Sequence, residues 1–381
     1  MEISRLFLNI FYIALTCFYV VGLTNAQSVP NKPPNKFDPE VSSLLPKNLL
    51  PRMQDEMSMT AGLDLTPLKT EDLYSSPFRK GKPRVYRVND YTEYIYHKPG
   101  AFEFLANAPG DLYRLTVNAF RPQNLPMLAL VLGSTAVMVY YDQPILDYTK
   151  EFGRNIGLKG SNNQKTYFTI AGQPIQFPHD TDTALYFIGD GFTHIAFAVG
   201  FLTFGLIKSD NRALQTASQL AEGMVTTAFT SQLLKHITGR ESPFVSTRPG
   251  GRWVFFPNQI EYHKHVPNFD AYPSGHLATS MMTVTVIAEN YPEKKWIRPV
   301  GYTLMAILSF EMINNGVHWI SDYPLALVIG YELGKIAVDK GRMERRVYPD
   351  FSGRKKWQDS VKLYPAFDLQ GTVGVGLAYK F

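Results

Sequence analysis

Hydrophobic residues cluster in a few long runs along the chain, and mixed or polar segments separate these runs. Residues 125–141 and 184–207 are apolar over nearly their full length, which is typical of buried or membrane-inserted helices. Within the second run a buried Asp190 would need a partner, and His194 at i+4 is the nearest candidate. Later segments show helical patterns with more polar positions, and all of the segments together predict an all-α bundle of five to six helices. These later segments are residues 213–236, 274–290, 299–318 and 323–338.

The N-terminal part of the chain precedes the predicted bundle and differs from it in composition. Residues 1–26 have the features of a signal peptide, because Arg5 precedes an apolar stretch and Thr24-Asn25-Ala26 provides a small-residue cleavage site. An uncleaved anchor helix is the alternative, since the apolar stretch is nearly long enough to span a bilayer. Residues 27–122 are interpreted as a proline-rich tether and loop region, with one amphipathic helix near residues 111–120.

The C-terminal part of the chain differs again, because its hydrophobic residues alternate with smaller or polar ones. Residues 341–381 begin with a basic linker, and the alternation in segments 361–368 and 372–381 then predicts a β-hairpin. One hairpin cannot close a barrel, so we interpret it as an accessory element or an assembly strand. The helical domain is therefore expected to span residues 123–340.

Composition and charge exclude some classes of protein. The chain of 381 residues is 45% hydrophobic and carries a net charge of +5. Its basic residues are dispersed and no recognition motif accompanies them, so we expect no nucleic-acid partner. The single cysteine, Cys17, lies in the N-terminal apolar stretch. A processed chain would therefore use no disulfides.

Ser274, Gly275 and His276 form the most informative motif of the chain. A serine and a glycine that open a helix present backbone N–H groups to an anion, and the adjacent histidine can give a proton to a leaving group. His318 and Asp322 lie one helical turn apart, so the carboxylate can hold one ring nitrogen while the other nitrogen attacks phosphorus. The motif therefore indicates phosphate transfer by a nucleophile, an orienting group and an acid.

Together with Lys235, this motif resembles the type 2 phosphatidic acid phosphatase (PAP2) superfamily, which also contains the vanadium haloperoxidases. That superfamily has three ordered sequence blocks. Its second block, proline-serine-glycine-histidine, is complete at residues 273–276. In the first block Lys235 and Pro243 are in register, but Ser242 stands at the arginine position.

The third block ends with His318 and Asp322 at the expected spacing. Its serine and arginine positions hold Glu311 and Met312 instead. The resemblance covers roughly residues 185–340. It implies a helical bundle of the PAP2 and haloperoxidase type, with both histidines at one end.

The resemblance also implies a reaction. His318 would become transiently phosphorylated, Asp322 would orient it, and His276 would protonate the leaving alcohol. No cofactor or metal is required by this chemistry. We therefore expect a phosphatase that hydrolyses a phosphomonoester or pyrophosphate, with a lipid-linked substrate favoured over a small soluble phosphoester.

The resemblance further implies which groups bind the phosphoryl oxygens. Lys235 and the backbone amides of Ser274 and Gly275 would hold them. Arg240 is expected to replace the arginine that is missing at position 242, because its neighbours suit a chain that leaves a helix. Other residues that could compensate are Arg248, Arg252, Asn314 and Asn315.

Other functions stay open on the sequence alone. Because Ser242 and Met312 replace two arginines, the chain could be a catalytically degenerate protein that binds or scaffolds in the cell envelope. A vanadate-dependent peroxidase is a weaker alternative, since its chemistry uses the same arginines. A metal hydrolase is also weaker, because no tight ligand pair of the zinc-motif kind accompanies the histidines.

Basic residues indicate how the bundle would lie in a membrane. They cluster at the end opposite the motifs, at Lys208 and Arg212 and within residues 294–298 and 340–346. The positive-inside rule puts these residues in the cytoplasm and the active site on the exported, periplasmic side. If the N-terminus is exported and residues 125–141 also span, the orientation reverses, so we interpret that run as half-inserted or packed on the bundle. A soluble exported bundle is the alternative to this membrane-associated envelope protein.

Overall fold

The computed structural model describes residues 80–160, 164–170, 173–347, 361–367 and 373–379. The predicted signal peptide at residues 1–26, the cysteine within it and most of the predicted tether lie outside the described residues. Within the described ranges nine α-helices and seven β-strands follow one another.

The helices contain most of the described residues, which confirms the mostly helical character predicted from the hydrophobic runs. Short helices α3 and α6 alternate with long ones that build the bundle. The nine helices are α1 Glu103–Ala119, α2 Leu125–Asn155, α3 Thr181–Phe187, α4 Gly191–Lys208, α5 Asn211–Thr238, α6 Gln259–Lys264, α7 Gly275–Asn290, α8 Ile297–Asn314 and α9 Tyr323–Gly341.

Helices α5, α7 and α9 form the centre of the bundle. Leu220, Met282 and Val338, one from each helix, are fully buried in a common cluster. Helix α9 approaches α7 closely at Gly330, where a Cβ atom would collide with the carbonyl oxygen of Ala278. This packing holds the start of α7, which carries the Ser-Gly-His motif, beside the segment that leads into α9.

The apolar run at residues 184–207 forms two helices, where the sequence pattern predicts one. The break between α3 and α4 falls at Asp190, whose carboxylate accepts a hydrogen bond of 2.9 Å from the amide of Phe192 and caps α4. The expected pairing of Asp190 with His194 is therefore wrong. His194 instead lies 3.0 Å from the hydroxyl of Thr283 on α7.

Two helices present an apolar exterior. Residues Pro122–Asn155 and Gly191–Lys208 are long and apolar enough to cross a membrane, each with a mean hydropathy of 1.4. Helix α2 is much longer than the run at residues 125–141 from which it was predicted. On α4, side chains such as Phe204 and Ile207 are exposed along the outer face.

A three-stranded antiparallel sheet packs against the bundle in the order β1-β2-β5. Its strands are β1 Lys80–Asn89, β2 Thr92–Lys98 and β5 Arg342–Arg346. Ile95 in β2 pairs with Val85 on one side and Met343 on the other. Tyr96 is buried, and its hydroxyl donates to the side-chain oxygen of Asn290 at 3.0 Å.

This sheet corrects the expectation of a tether and loop region at residues 27–122, since β1 and β2 lie within it, and that of a basic linker directly after residue 340, where β5 begins. The central strand pairs with a strand about 250 residues away in the sequence. A pairing between such distant segments leaves no local signal in either of them.

Two further antiparallel pairs occur in the described ranges. Strand β3 Gln164–Ile170 pairs with β4 Gln173–Pro178, and β6 Val361–Phe367 pairs with β7 Val373–Tyr379. The second pair falls within the two segments in which alternation predicts a hairpin. Its register sets Val361 opposite Tyr379 and Phe367 opposite Val373.

Candidate active site

His318 lies in the segment between α8 and α9 and is buried. Its Nδ1 is 2.8 Å from the carbonyl oxygen of Ala271 and 3.3 Å from Oδ2 of Asp322. Because both partners only accept hydrogen bonds, Nδ1 carries the proton and Nε2 keeps its lone pair. The amide of Trp319 donates to the same Oδ2 at 2.8 Å and holds the carboxylate in place. This tautomer suits Nε2 as a nucleophile.

Arg240 supports Asp322 through the other carboxylate oxygen. Its Nη1 donates to Oδ1 of Asp322 at 2.5 Å and to Oγ of Ser321 at 2.6 Å. Its Nη2 donates to the carboxylate of Asp142 and to the carbonyl oxygen of Gly250. The side chain is fully buried, and both terminal nitrogens are occupied. Arg240 therefore does not take the phosphate-binding place expected for it, because two buried carboxylates need its charge.

Asp142 is a site residue that the sequence reasoning missed. It stands on α2 directly after the apolar run of residues 125–141 and is buried. Its carboxylate accepts hydrogen bonds from the amide and hydroxyl of Ser321 at 3.1 and 2.7 Å. A carboxylate in an apolar helix needs a polar partner, and this signal could have marked Asp142 as functional.

His276 occupies the first turn of α7, and the structure brings it close to His318. The centroids of the two imidazole rings are 6.0 Å apart. Burial, with repulsion from His318 and Lys235, lowers the pKa of His276 to about 3, so its imidazole is neutral at pH 7. The hydroxyl of Tyr186 on α3 lies 2.8 Å from Nε2 of His276. Tyr186 was missed because a tyrosine within an apolar run has no distinctive pattern.

The start of α7 offers fewer free amides than the motif suggested. Oγ of Ser274 accepts from the amide of Leu277 at 3.4 Å and caps the helix. The amide of Ser274 donates to the carbonyl oxygen of Asp322 at 3.1 Å, so it joins two motifs and is not available to an anion. The amides of Gly275 and His276 lie in the first turn, where a helix supplies no acceptor, and these are the donors left for a phosphoryl group.

Lys235 lies in the last turn of α5 beside the start of α7. Its Nζ is 3.9 Å from the place that a Cβ atom on Gly275 would take, which agrees with its expected position. The same Nζ is 3.5 Å from Oδ2 of Asp270. Lys235 therefore lies in the candidate site paired with a carboxylate. The sequence reasoning missed Asp270, because it lies between two motif blocks in a segment with no helical or strand pattern.

Ser242 and Met312 stand where the superfamily has arginines, and both are buried. The sulfur of Met312 is 3.7 Å from Oγ of Ser274, so a buried thioether lies beside the start of α7 at the position of the second arginine. Both phosphate-binding guanidiniums are thus replaced by uncharged groups.

Three of the other residues expected to compensate are engaged elsewhere or exposed. Nε of Arg252 lies 3.3 Å from Glu241, and the side-chain Nδ2 of Asn314 lies 3.3 Å from Glu311. Asn315 differs, because its side-chain oxygen accepts from the amide of Val317 while its Nδ2 is buried and makes no hydrogen bond with the described residues. A further candidate, Arg248, is exposed on its loop.

His276, His318 and Asp322 are also residue types that can bind a metal. In the part of the chain that the structure describes, no group of three His, Cys, Asp or Glu side chains is placed to hold an ion. Nδ1 of His318 and both oxygens of Asp322 are already bonded to protein groups. The imidazoles of His276 and His318 and the ammonium group of Lys235 lie near one another here.

Fold and candidate site together describe a helical domain with two histidines at one end of a bundle. The model of the PAP2 superfamily matches residues 216–344, which confirms the resemblance that the three sequence blocks indicated. No curated protein matches the chain. A crystal structure of Aquifex aeolicus LpxE is similar with 18% identity and a TM-score of 0.31, over 42% of this chain and 83% of that chain.

Proposed function

We propose that this protein hydrolyses a phosphomonoester or pyrophosphate through a phosphohistidine on His318. The observation that carries this proposal is the arrangement of the two imidazoles. Nδ1 of His318 is held by Ala271 and Asp322, which leaves Nε2 to attack, and the ring of His276 lies 6.0 Å away. A phosphoryl group between the two rings would meet a nucleophile and an acid in one pocket.

The reaction has two steps on this geometry. Nε2 of His318 attacks phosphorus, the bond from phosphorus to the leaving oxygen breaks, and protonated His276 gives its proton to that oxygen. A bound phosphoryl anion favours the protonated form of His276. Water then attacks phosphorus and gives a proton to His276, the bond from Nε2 of His318 to phosphorus breaks, and phosphate leaves. Lys235 and the amides of Gly275 and His276 stabilise the negative charge on the phosphoryl oxygens.

An apolar cleft supports a lipid-linked substrate. It lies between α4, α7 and α8 and has a volume of about 710 Å³. Ile188 lines one end and is followed by Gly189, where a Cβ atom would lie 3.2 Å from the Cβ of His276. Lys294 and Trp296 line the other end. A hydrocarbon chain in this cleft would run along α7 away from a phosphoryl group bound beside His276.

The exposed apolar faces of α2 and α4 support association with a membrane of the cell envelope. Lys294, Lys295 and Arg298 belong to the connection after α7, whereas His276 lies at the opposite end of that helix. The positive-inside rule therefore favours an active site on the exported side.

Release of phosphate from lipid phosphates and from a soluble aryl phosphate tests the proposal. We expect His318→Ala to lower kcat by about 10³-fold or more, because the nucleophile is lost. His263→Ala, an exposed histidine on α6, is the matched control and should keep wild-type activity. Orthovanadate, a phosphate mimic, should inhibit the wild type. Full activity of the His318→Ala variant would exclude the phosphohistidine.

A second candidate function is favoured by Ser242 and Met312. Loss of one preorganised donor to a developing oxyanion costs about 10²- to 10³-fold in rate, so two losses fit a protein that binds a phosphorylated lipid without hydrolysing it. Orthovanadate binding to the purified wild type without any release of phosphate would support this binding or scaffold role.

A further inference from the structure

The formal charges around the candidate site are unusual for a site that binds a phosphate dianion. The cations are Lys235 and Arg240, and the carboxylates are Asp142, Asp270 and Asp322. With uncharged imidazoles, two positive charges against three negative ones leave a net charge of minus one. The superfamily's motifs contain two further arginines, and their two positive charges would change this net charge to plus one.

Of these three carboxylates, that of Asp270 is accessible to a ligand. The carboxylates of Asp142 and Asp322 are completely buried with Arg240, whereas the Asp270 side chain keeps 27% of its surface exposed. Because Nζ of Lys235 is 3.5 Å from Oδ2 of Asp270, any oxyanion that contacts this ammonium group also approaches the carboxylate.

The charge of Asp270 also reaches hydroxyl groups on two other helices. Burial raises the pKa values of Tyr186 on α3 and Tyr262 on α6. Asp190 and then Asp270 raise the pKa of Tyr186 further, and Asp270 raises that of Tyr262. Tyr186 is the residue whose hydroxyl lies 2.8 Å from His276. Asp270 therefore acts on the pocket from beside the lysine, facing groups on α3, α5 and α6.

The backbone holds Asp270 in a fixed place. The next residue, Ala271, donates its amide to the carbonyl oxygen of Arg240 at 3.0 Å and accepts from Nδ1 of His318 at 2.8 Å. Asp270 is thus attached to the segment that sets the tautomer of the nucleophile. Its carboxylate cannot leave the pocket through a loop movement without disturbing His318.

We propose that Asp270 is a specificity-determining residue that makes this site select a singly charged phosphoryl group, the monoanion of a phosphomonoester, over the dianion. The proposal rests on the proposed phosphatase function. Among the residues that the structure describes, Lys235 is the cation placed to meet the ligand. Asp270 offsets its charge, and the uncharged side chains of Ser242 and Met312 add no other. A dianion would meet the uncompensated negative charge of the site, whereas a monoanion meets half of that repulsion.

The monoanion also brings the proton that the reaction needs. Its P–OH group passes a proton to neutral His276, and His276 gives that proton to the leaving oxygen. At the same time the bond from Nε2 of His318 to phosphorus forms and the bond to the leaving oxygen breaks. The alcohol leaves uncharged, and the single negative charge stays on the phosphohistidine and its surroundings.

Equilibrium binding of inorganic phosphate to the full-length protein tests this selection without turnover. Phosphate passes from mainly singly to mainly doubly charged between about pH 5.5 and about pH 8. For the wild type we expect the Kd, measured by calorimetry, to rise about tenfold or more over this range. Asp270→Asn keeps the shape of the side chain and removes its charge, and it should bind phosphate about tenfold more tightly than the wild type at about pH 8.

Two variants show whether charge is the cause. Asp270→Glu keeps the carboxylate and should restore the wild-type dependence on pH. Asp90→Asn, an exposed aspartate in the turn between β1 and β2, should bind as the wild type does.

The outcomes separate this inference from the function on which it rests. If Asp270→Asn binds phosphate at about pH 8 as weakly as the wild type or more weakly, Asp270 only orients Lys235, and the selection is disproved. If the wild type binds no phosphate at either pH, the proposed phosphatase site itself fails. If phosphate binds and the Asp270 variants behave as expected, while no ester is hydrolysed, the selection holds for a binding protein.

Discussion

His318 shows how the site depends on polar residues that fix one another. Its proton is held on Nδ1 by Ala271 and Asp322, and Asp322 is in turn held by Arg240. Each member of this chain satisfies a charge or a donor that would be costly to bury alone. The arginine that the sequence suggested as a phosphate ligand is thus used to position Asp322 and, through it, the imidazole of His318.

Burial of the His276 imidazole predicts how the free energy of unfolding depends on pH. The pKa of this imidazole is about 3 in the folded protein, against the ordinary histidine pKa of 6.5 in an unfolded chain, so between these values the unfolded chain binds more protons. The free energy of unfolding should therefore fall as the pH is lowered through this window, by up to about 1.4 kcal/mol per pH unit from this group. Urea unfolding at several pH values between about 7 and 4.5 measures it.

His276→Asn replaces the titrating ring by a group that does not titrate in this range. Its unfolding free energy should fall less steeply with acid than that of the wild type. His263→Asn changes an exposed histidine and should keep the wild-type slope. An equally steep loss in the His276→Asn variant would contradict a neutral, buried imidazole.

Among the secondary-structure elements, α7 and α9 decide whether the two motifs meet. Helix α7 begins at the Ser-Gly-His motif, and α9 begins directly after Asp322. The two helices pack with small residues between them, at Gly330 against Ala278 and at Gly334 against Thr285. Close approach at these points sets the distance between the helix starts, and hence between His276 and His318.

Gly330→Ala tests this packing. A Cβ atom at Gly330 would collide with the Ala278 backbone and lie 2.9 Å from the Cβ of Met281. We expect the substitution to destabilise the protein by about 1–3 kcal/mol and to lower the melting temperature. On α4, Gly200 has nothing within 4 Å of its Cβ position, so Gly200→Ala should leave stability unchanged or raise it by up to about 1 kcal/mol. Equal melting temperatures for the two variants would show that α7 and α9 have room to move apart.

At the scale of the whole molecule, the described fold has a polar end with the site and a basic end beside the three-stranded sheet. Arg342 and Arg345 extend the basic end into β5, where Arg345 pairs with Glu93 of β2. Between the two ends, α2 and α4 expose apolar side chains. This distribution is the one expected of a protein that lies in a membrane with its site at one surface.

Cysteine labelling tests the orientation, and the chain is well suited to it because Cys17 is its single cysteine. In a Cys17→Ser background, Arg248→Cys marks the site end and Lys295→Cys marks the basic end; both residues are exposed. An impermeant maleimide added to spheroplasts should label the first variant and should reach the second only after permeabilisation. The reverse pattern would turn the active site inward, and labelling of both variants would favour a soluble exported bundle.

Local patterns in the sequence were sufficient to predict a mostly helical fold and to select the candidate site residues. A helix cap, a pair of residues at i and i+4, and the spacing of three blocks are all short-range features, so they identified His276, His318, Asp322 and Lys235 before any fold was known. Runs of apolar residues were likewise sufficient to predict a bundle.

Only the tertiary structure decided how the site is charged. Arg240 meets Asp142 and Asp322 across about 100 and 80 positions of the chain, and Asp270 meets Lys235 across two elements. Strand β5 meets β2 across a still longer separation. Contacts of this kind depend on how elements pack, and no pattern within a single segment records them. The sequence alone thus identified the candidate site residues, whereas their charge partners follow from the packing of the folded chain.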